Sequence, residues 1–133
     1  MKICILKETT QNEKRVAMVP DVAKKLINDG FEIFIESGAG TQSDFSDEDY
    51  KKVGVETGDA DAIIPNADIV FSVKMPDIES INKMKASACL IGLLNPYDNH
   101  TQLKALSENS INAFSMELVP RSPRAQSMDV LSS

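Results

Sequence analysis

Two stretches decide the fold: DIVFSVK at residues 68–74 and SACLIGLL at residues 87–94. Each is a nearly unbroken apolar run, not an alternation of apolar and polar residues. Alternation marks a strand with one wet face. An unbroken run of this length suits a strand buried on both faces, as in a parallel sheet flanked by helices. Met75-Pro76 and Asn95-Pro96 end the two runs, because proline has no N–H to give to a sheet ladder.

Working outward, the same alternation of strand and helix recurs. KICIL (2–6), FEIFIE (31–36) and INAFSM (111–116) read as further strands. Between the first two lies an amphipathic helix. Pro20 suits its first turn, Asp21 complements its dipole, and Gly30 ends it in a left-handed conformation. Val22, Ala23, Leu26 and Ile27 form its apolar stripe. Ser46 predicts an N-cap for a short helix that Gly54 closes, and a second short helix covers residues 59–64. Residues 78–84 predict another. Asp98 is expected to cap a helix over 99–109, with Leu103 and Leu106 facing inward. Strands separated by helices form right-handed crossovers and a parallel sheet. The expectation is an α/β fold: a Rossmann-like or flavodoxin-like doubly wound, mostly parallel sheet of about five strands.

The chain has 133 residues, which predicts one domain able to bury a core without staples. Its net charge of -6 argues against nucleic-acid binding, which favours a basic face. No stretch reaches the roughly 18 apolar residues of a membrane span, and MKICILKETT lacks the apolar core of a secretory signal. Cys4 and Cys89 sit in strand-like runs and read as buried, reduced thiols. His100 stands alone as the one histidine and reads as a surface residue. That rules out a histidine-rich metal centre.

Three segments carry candidate chemistry. The GAG of residues 38–40 follows a strand, but the dinucleotide fingerprint G-x-G-x-x-G needs a third glycine where Ser43 stands. A turn is the better reading. KETTQNEKRV (7–16) follows the first strand at the carboxyl edge of the sheet, where open α/β folds place ligands. Such a charged loop is ordinarily only solvated. The other reading has Arg15 and Lys74, both at that edge, converge on an anionic group. RSPRAQSMDVLSS (121–133) opens a helix with Ser122 as N-cap and Pro123 at its first position. At 100° per residue Gln126, Asp129 and Ser133 share one face, with Ser132 at its margin, while Met128 and Leu131 point elsewhere. That polar face is either solvated or able to hydrogen-bond a carboxamide and sugar hydroxyls.

Taken together, KETTQNEKRVAMVP, ESGAG with FSDEDY, NADIVFSVKMP and above all RSPRAQSMDVLSS resemble the N-terminal part of the α subunit of proton-translocating NAD(P) transhydrogenases. The first three blocks are shared with alanine dehydrogenase; the last is similar to the transhydrogenase signature Arg-x-x-Arg-Ala-Gln, then Asp-x-Leu-Ser-Ser. The resemblance implies that Arg121, Ser122, Gln126, Asp129 and Ser132 line the nicotinamide and ribose of NAD(H), and that Gln126 faces a partner subunit carrying NADP(H). It implies hydride transfer from NADH to NADP+ coupled to proton translocation. It also implies a homodimer of the NAD(H)-binding component, working with NADP(H)-binding and membrane subunits. The location it implies is cytoplasmic, peripheral to the membrane and without direct insertion.

Two other readings stand beside it. An alanine dehydrogenase would use Arg15 and Lys74 on its substrate, but would need a histidine just after residues 87–94. Asn95-Pro96-Tyr97 stand there, and His100 comes late. A stand-alone, non-enzymatic α/β binding module is the third. Residues 1–133 are expected to form one subdomain that stops before a second, G-x-G-x-x-G-bearing NAD-binding domain.

Overall fold

A computed structural model describes residues 1–116. Six strands form one all-parallel sheet in the order β3-β2-β1-β4-β5-β6. They are β1 (Lys2–Ile5), β2 (Glu32–Glu36), β3 (Glu56–Gly58), β4 (Ile69–Lys74), β5 (Cys89–Leu93) and β6 (Asn112–Ser115). The helices are α1 (Pro20–Asn28), α2 (Asp47–Lys52), α3 (Ala60–Ile63), α4 (Ile78–Lys83) and α5 (His100–Glu108). The doubly wound α/β expectation holds, with six strands rather than about five. The extra one is β3, a three-residue edge strand that pairs Phe34 with Glu56 and Glu36 with Gly58.

Local chemistry sets the helix ends. Pro20 opens α1, and Gly30 follows its end at φ 104. Ser46 accepts from the Asp49 amide while Asp49 accepts from the Ser46 amide, a complete capping box for α2. Asp98 does not cap α5, contrary to expectation. Residues Pro96–Asp98 form a 3₁₀ turn, Asn99 takes the cap position, and Asp98 instead accepts from the Asn95 side chain.

The sheet divides the core in two. On one face β1, β4 and β5 contribute Cys4, Val70 and Leu90, with Leu94 just past β5, to a cluster closed by α3, α4 and α5. On the other, Ile3, Ile5, Ile33, Ile35 and Phe71 pack under α1 and α2, with Tyr50 fully buried and donating 2.8 Å to the Met18 carbonyl. Over β5 and β6 this second face has no helix among the described residues. Ile91 and Leu93 are half-buried there, and Phe114 is 49% exposed. Cys4 and Cys89 are free thiols; burial pushes Cys4 up to about 12, with the Glu36 charge adding to it. Cys89 is half-buried rather than buried, because it lies on the uncovered face.

Candidate functional site

In this strand order the topological switch point lies between β1 and β4, where ligands of open α/β sheets usually sit. Here it is filled from within. Three steps along β4, from Phe71 to Lys74, match only two along β5, from Ile91 to Leu93. The extra residue makes a bulge and takes the amides of Val73 and Lys74 out of the ladder. Glu8, three residues past the end of β1, accepts both at 2.9 Å. Gly92 makes the bulge possible: a Cβ there would stand 2.0 Å from the Ser72 carbonyl oxygen.

Ser72 is the buried polar residue of the described core. Its hydroxyl lies 2.5 Å from the Lys74 carbonyl and 3.3 Å from Glu8. One hydroxyl carries one proton, so the shorter bond to the carbonyl takes it. Burial pushes the Glu8 carboxyl up, against the lowering effect of the two amides. A carboxyl in this position leaves neither room nor favourable field for a phosphate.

The GAG turn is closed to phosphate as well. The Gly38 amide donates 3.0 Å to the Asp47 carboxylate. Gly40 is pressed against the Phe45 carbonyl and the Tyr50 ring, where a Cβ would sit 2.7 Å from each. Thus the described residues do not fit the diphosphate of a dinucleotide.

Space exists beside the switch point instead. A cleft of about 550 Å³ opens between residues 15–19, α1, and the second face of β4 and β5. Val16, Val19, Val22, Val73, Leu93 and Met116 make it largely apolar, and Arg15 and Lys25 stand in its wall. Val22, expected on the inward stripe of α1, is 39% exposed because it faces this opening. Arg15 is gripped by Glu13 through a fork of 2.9 and 2.8 Å plus a backbone bond of 3.0 Å. The Arg15 hydrogen bonds hold the Glu13 carboxyl down at about 2, with Lys74 contributing. Arg15 and Lys74 therefore meet electrostatically at Glu13, not at an open seat between them, and Lys74 is not a wall residue of the cleft.

His100 is exposed at the start of α5, on the face opposite the cleft. Arg121, Ser122, Gln126, Asp129 and Ser132 lie outside the described residues. What the structure gives for them is a point of departure. Met116, just past β6, is 8% exposed and lines the cleft. Sequence reasoning missed Glu8 as the filler of the switch point; the isolated Gly92 within an apolar strand was the available sign of a bulge.

No helix of the described residues is long and apolar enough to cross a membrane, and no cluster of His, Cys, Asp and Glu among them could hold a metal.

The class is thus a doubly wound α/β domain of the kind found in dinucleotide enzymes, one whose own switch point is shut. Comparison with known proteins narrows this. The sequence profile described as "Alanine dehydrogenase/PNT, N-terminal domain" matches residues 4–133, and the chain belongs to that family. It is 40% identical over 134 residues to the NAD(P) transhydrogenase subunit alpha of Cereibacter sphaeroides, covering 100% of this chain and 26% of that protein. The transhydrogenase structure from Sinorhizobium meliloti superposes with a TM-score of 0.91 at 38% identity, over 99% of this chain and 40% of that one. An L-alanine dehydrogenase structure superposes at 0.86 with 26% identity, over 94% and 34%. The chain therefore spans well under half the length of each of these relatives.

Proposed function

We propose that this chain is the first subdomain of the NAD(H)-binding component of a proton-translocating NAD(P) transhydrogenase. In this reading it presents the nicotinamide end of NAD(H) to an NADP(H)-bearing partner subunit. Arg121, Ser122, Gln126, Asp129 and Ser132 hold the carboxamide and ribose. The diphosphate is gripped outside residues 1–133, by a G-x-G-x-x-G domain that follows in the longer protein. The nicotinamides supply the hydride chemistry, and the residues of this chain orient and desolvate one ring. The component works as a homodimer, peripheral to the membrane subunits.

The observation that most supports this is the exit of β6. Met116, the last described residue, sits in the cleft wall at the carboxyl edge of the sheet. The closed switch point is consistent with a subdomain that contributes ring contacts and not a diphosphate seat. The test is Gln126→Ala in the intact complex. The single-turnover rate of hydride transfer should fall by about tenfold or more, while the dissociation constant for NADH changes by less than about threefold. Equal rates for variant and wild type would sink the assignment of Gln126. NADH formed from L-alanine and NAD+ would favour the alanine dehydrogenase reading instead.

A further inference from the structure

The cleft and a small hollow around Glu8 are separated by one bulged strand. The hollow holds about 10 Å³ between Leu6, Thr9, Met75, Pro76 and Ser80, no more than a single water needs. No ligand therefore reaches Glu8. Among the described residues Ser72 is the one that lines both spaces, so β4 is the partition between them. On the cleft side that partition presents Phe71 and Val73, with Leu93 of β5 beside them. On the other side Glu8 holds it with both oxygens. Oε2 accepts from the Val73 amide and Oε1 from the Lys74 amide, each at 2.9 Å. The bulge cannot be taken up toward β5, because the Ser72 carbonyl is already packed against Gly92. The cleft wall at Val73 is thus set from behind, by a carboxylate that never meets the contents of the cleft.

We propose that Glu8 is a positioning residue: its carboxylate fixes the bulge and with it the cleft wall at Val73, and taking up a proton lets that wall shift. A carboxylate offers one acceptor oxygen to each amide. A protonated carboxyl keeps one good acceptor, its carbonyl oxygen, for the two of them. One amide then loses its bond, and a part-buried donor without an acceptor is costly enough to make the strand adjust. Burial favours the neutral form of Glu8, which moves the change above the ordinary carboxylate range. The charged groups around Glu8 are Lys7 beside it, Glu13 and Arg15 from the same loop, Lys74 at the end of β4 and Asp77 at the head of α4. Glu13 and Arg15 are tied to each other in their fork, and Asp77 accepts from the Ser80 amide at 2.8 Å. From β5 it is Gly92 that meets the bulge. Of the carboxylates among these groups, Glu8 is the one that takes the bulge amides; the others alter its field and not those bonds. What the wall touches rests on the function proposed above. Under that function the wall at Val73 backs the nicotinamide, and the proton on Glu8 sets how well the ring is aligned for transfer.

The first measurement needs no nucleotide. In the full chain, NMR follows the Glu8 carboxyl carbon, the Val73 and Lys74 amides and the methyl groups of Val73 and Leu93 across about pH 4.5–8. All should titrate with one midpoint. Glu8→Gln, which keeps a single acceptor oxygen, should hold the amides and methyls near their acid-limit positions at every pH. Methyls that fail to follow the carboxyl, methyl shifts that persist in Glu8→Gln, or a carboxyl that stays flat across the interval would each overturn the proposal. The second measurement uses the intact transhydrogenase complex at saturating NADH. The single-turnover rate of hydride transfer in wild type, divided by that in Glu8→Gln, should be about fivefold above the midpoint and approach one below it, with the NADH dissociation constant changed by less than about twofold. A merely structural role would change the rate by a factor independent of pH and leave the methyls fixed. Methyls that move with Glu8 beside a rate ratio independent of pH would count against the ring lying on this wall, hence against the proposed function, and leave the coupling of Glu8 to the wall standing.

Discussion

Removing the Glu8 carboxylate should loosen the carboxyl edge by a predictable amount. In Glu8→Ala, the amides of Val73 and Lys74 lose acceptors at 2.9 Å. A stranded donor costs about 1–3 kcal/mol, and these are part-buried and reachable by water, so about 1.5 kcal/mol each is appropriate. Against that loss stands a gain. Burial pushes the Glu8 carboxyl above its ordinary 4.5, so the ionised group is itself held at a cost. That relief offsets part of the lost hydrogen bonding, so a net loss of about 2 kcal/mol is expected, a fall in Tm of about 8 °C for a domain of this size. Glu8→Gln keeps one acceptor oxygen and the shape, but points an amide group at a donor, and should lose about 1 kcal/mol. The pH dependence separates the carboxyl from its shape. With a folded pKa above the unfolded value, the folded state binds more protons in that interval, so stability falls as pH rises from 4.5 through the folded pKa. Wild type minus Glu8→Gln, measured by urea melts across about pH 4–8, should show that falling slope. A loss below about 0.5 kcal/mol in Glu8→Ala, or a difference curve that rises with pH, would refute the clamp.

Other perturbations follow from single contacts. Gly92→Ala puts a Cβ where 2.0 Å separates it from the Ser72 carbonyl, so β4 and β5 must part at the bulge. A loss above about 3 kcal/mol in denaturant melts is expected. Tyr50→Phe removes the 2.8 Å bond to the Met18 carbonyl while keeping the ring and its edge contact with Phe45. About 1–2 kcal/mol should be lost by the same assay, with m unchanged. Arg15→Ala should return the Glu13 carboxyl from about 2 toward its ordinary range, read by carboxyl NMR titration. Because the folded value is the lower one, the support Glu13 gives is present above pH 4.5 and fades as pH falls toward 2.

Most of the fold was legible because it rests on local signals. DIVFSVK and SACLIGLL announced buried parallel strands, and Ser46 and Gly30 announced helix ends. The misses have physical causes. Glu56–Gly58 has no apolar run and is a strand only because β2 offers it an edge. Asp98 looked like a cap, but Pro96 forces a 3₁₀ turn that carries the start of the helix past it. The site was legible in part. Arg15 and Lys74 were placed at the correct edge by order in the chain. That Glu8 fills the switch point depends on a bulge involving β5, a strand far off in sequence. Nothing local to KETT encodes that relation.

The cleft also bears on which oxidoreductase chemistry the family fold serves here. Oxidising an amino acid through an imine requires a side chain that gives and takes a proton. The titratable residues in the cleft wall are Arg15 and Lys25. Arg15 stays a cation, held in that state by Glu13. Glu13 has its carboxyl pinned near 2 by the same fork, too acidic to act as a base near neutral pH. The single histidine lies across the sheet. Arg15 and Glu13 are thus committed to one another as cation and counter-ion, and neither is available to the cleft as an acid or base. Hydride transfer between two nicotinamides makes no such demand. It needs a dry, shaped wall and a polar segment to fix one ring. Under the function proposed above, the apolar cleft supplies that wall.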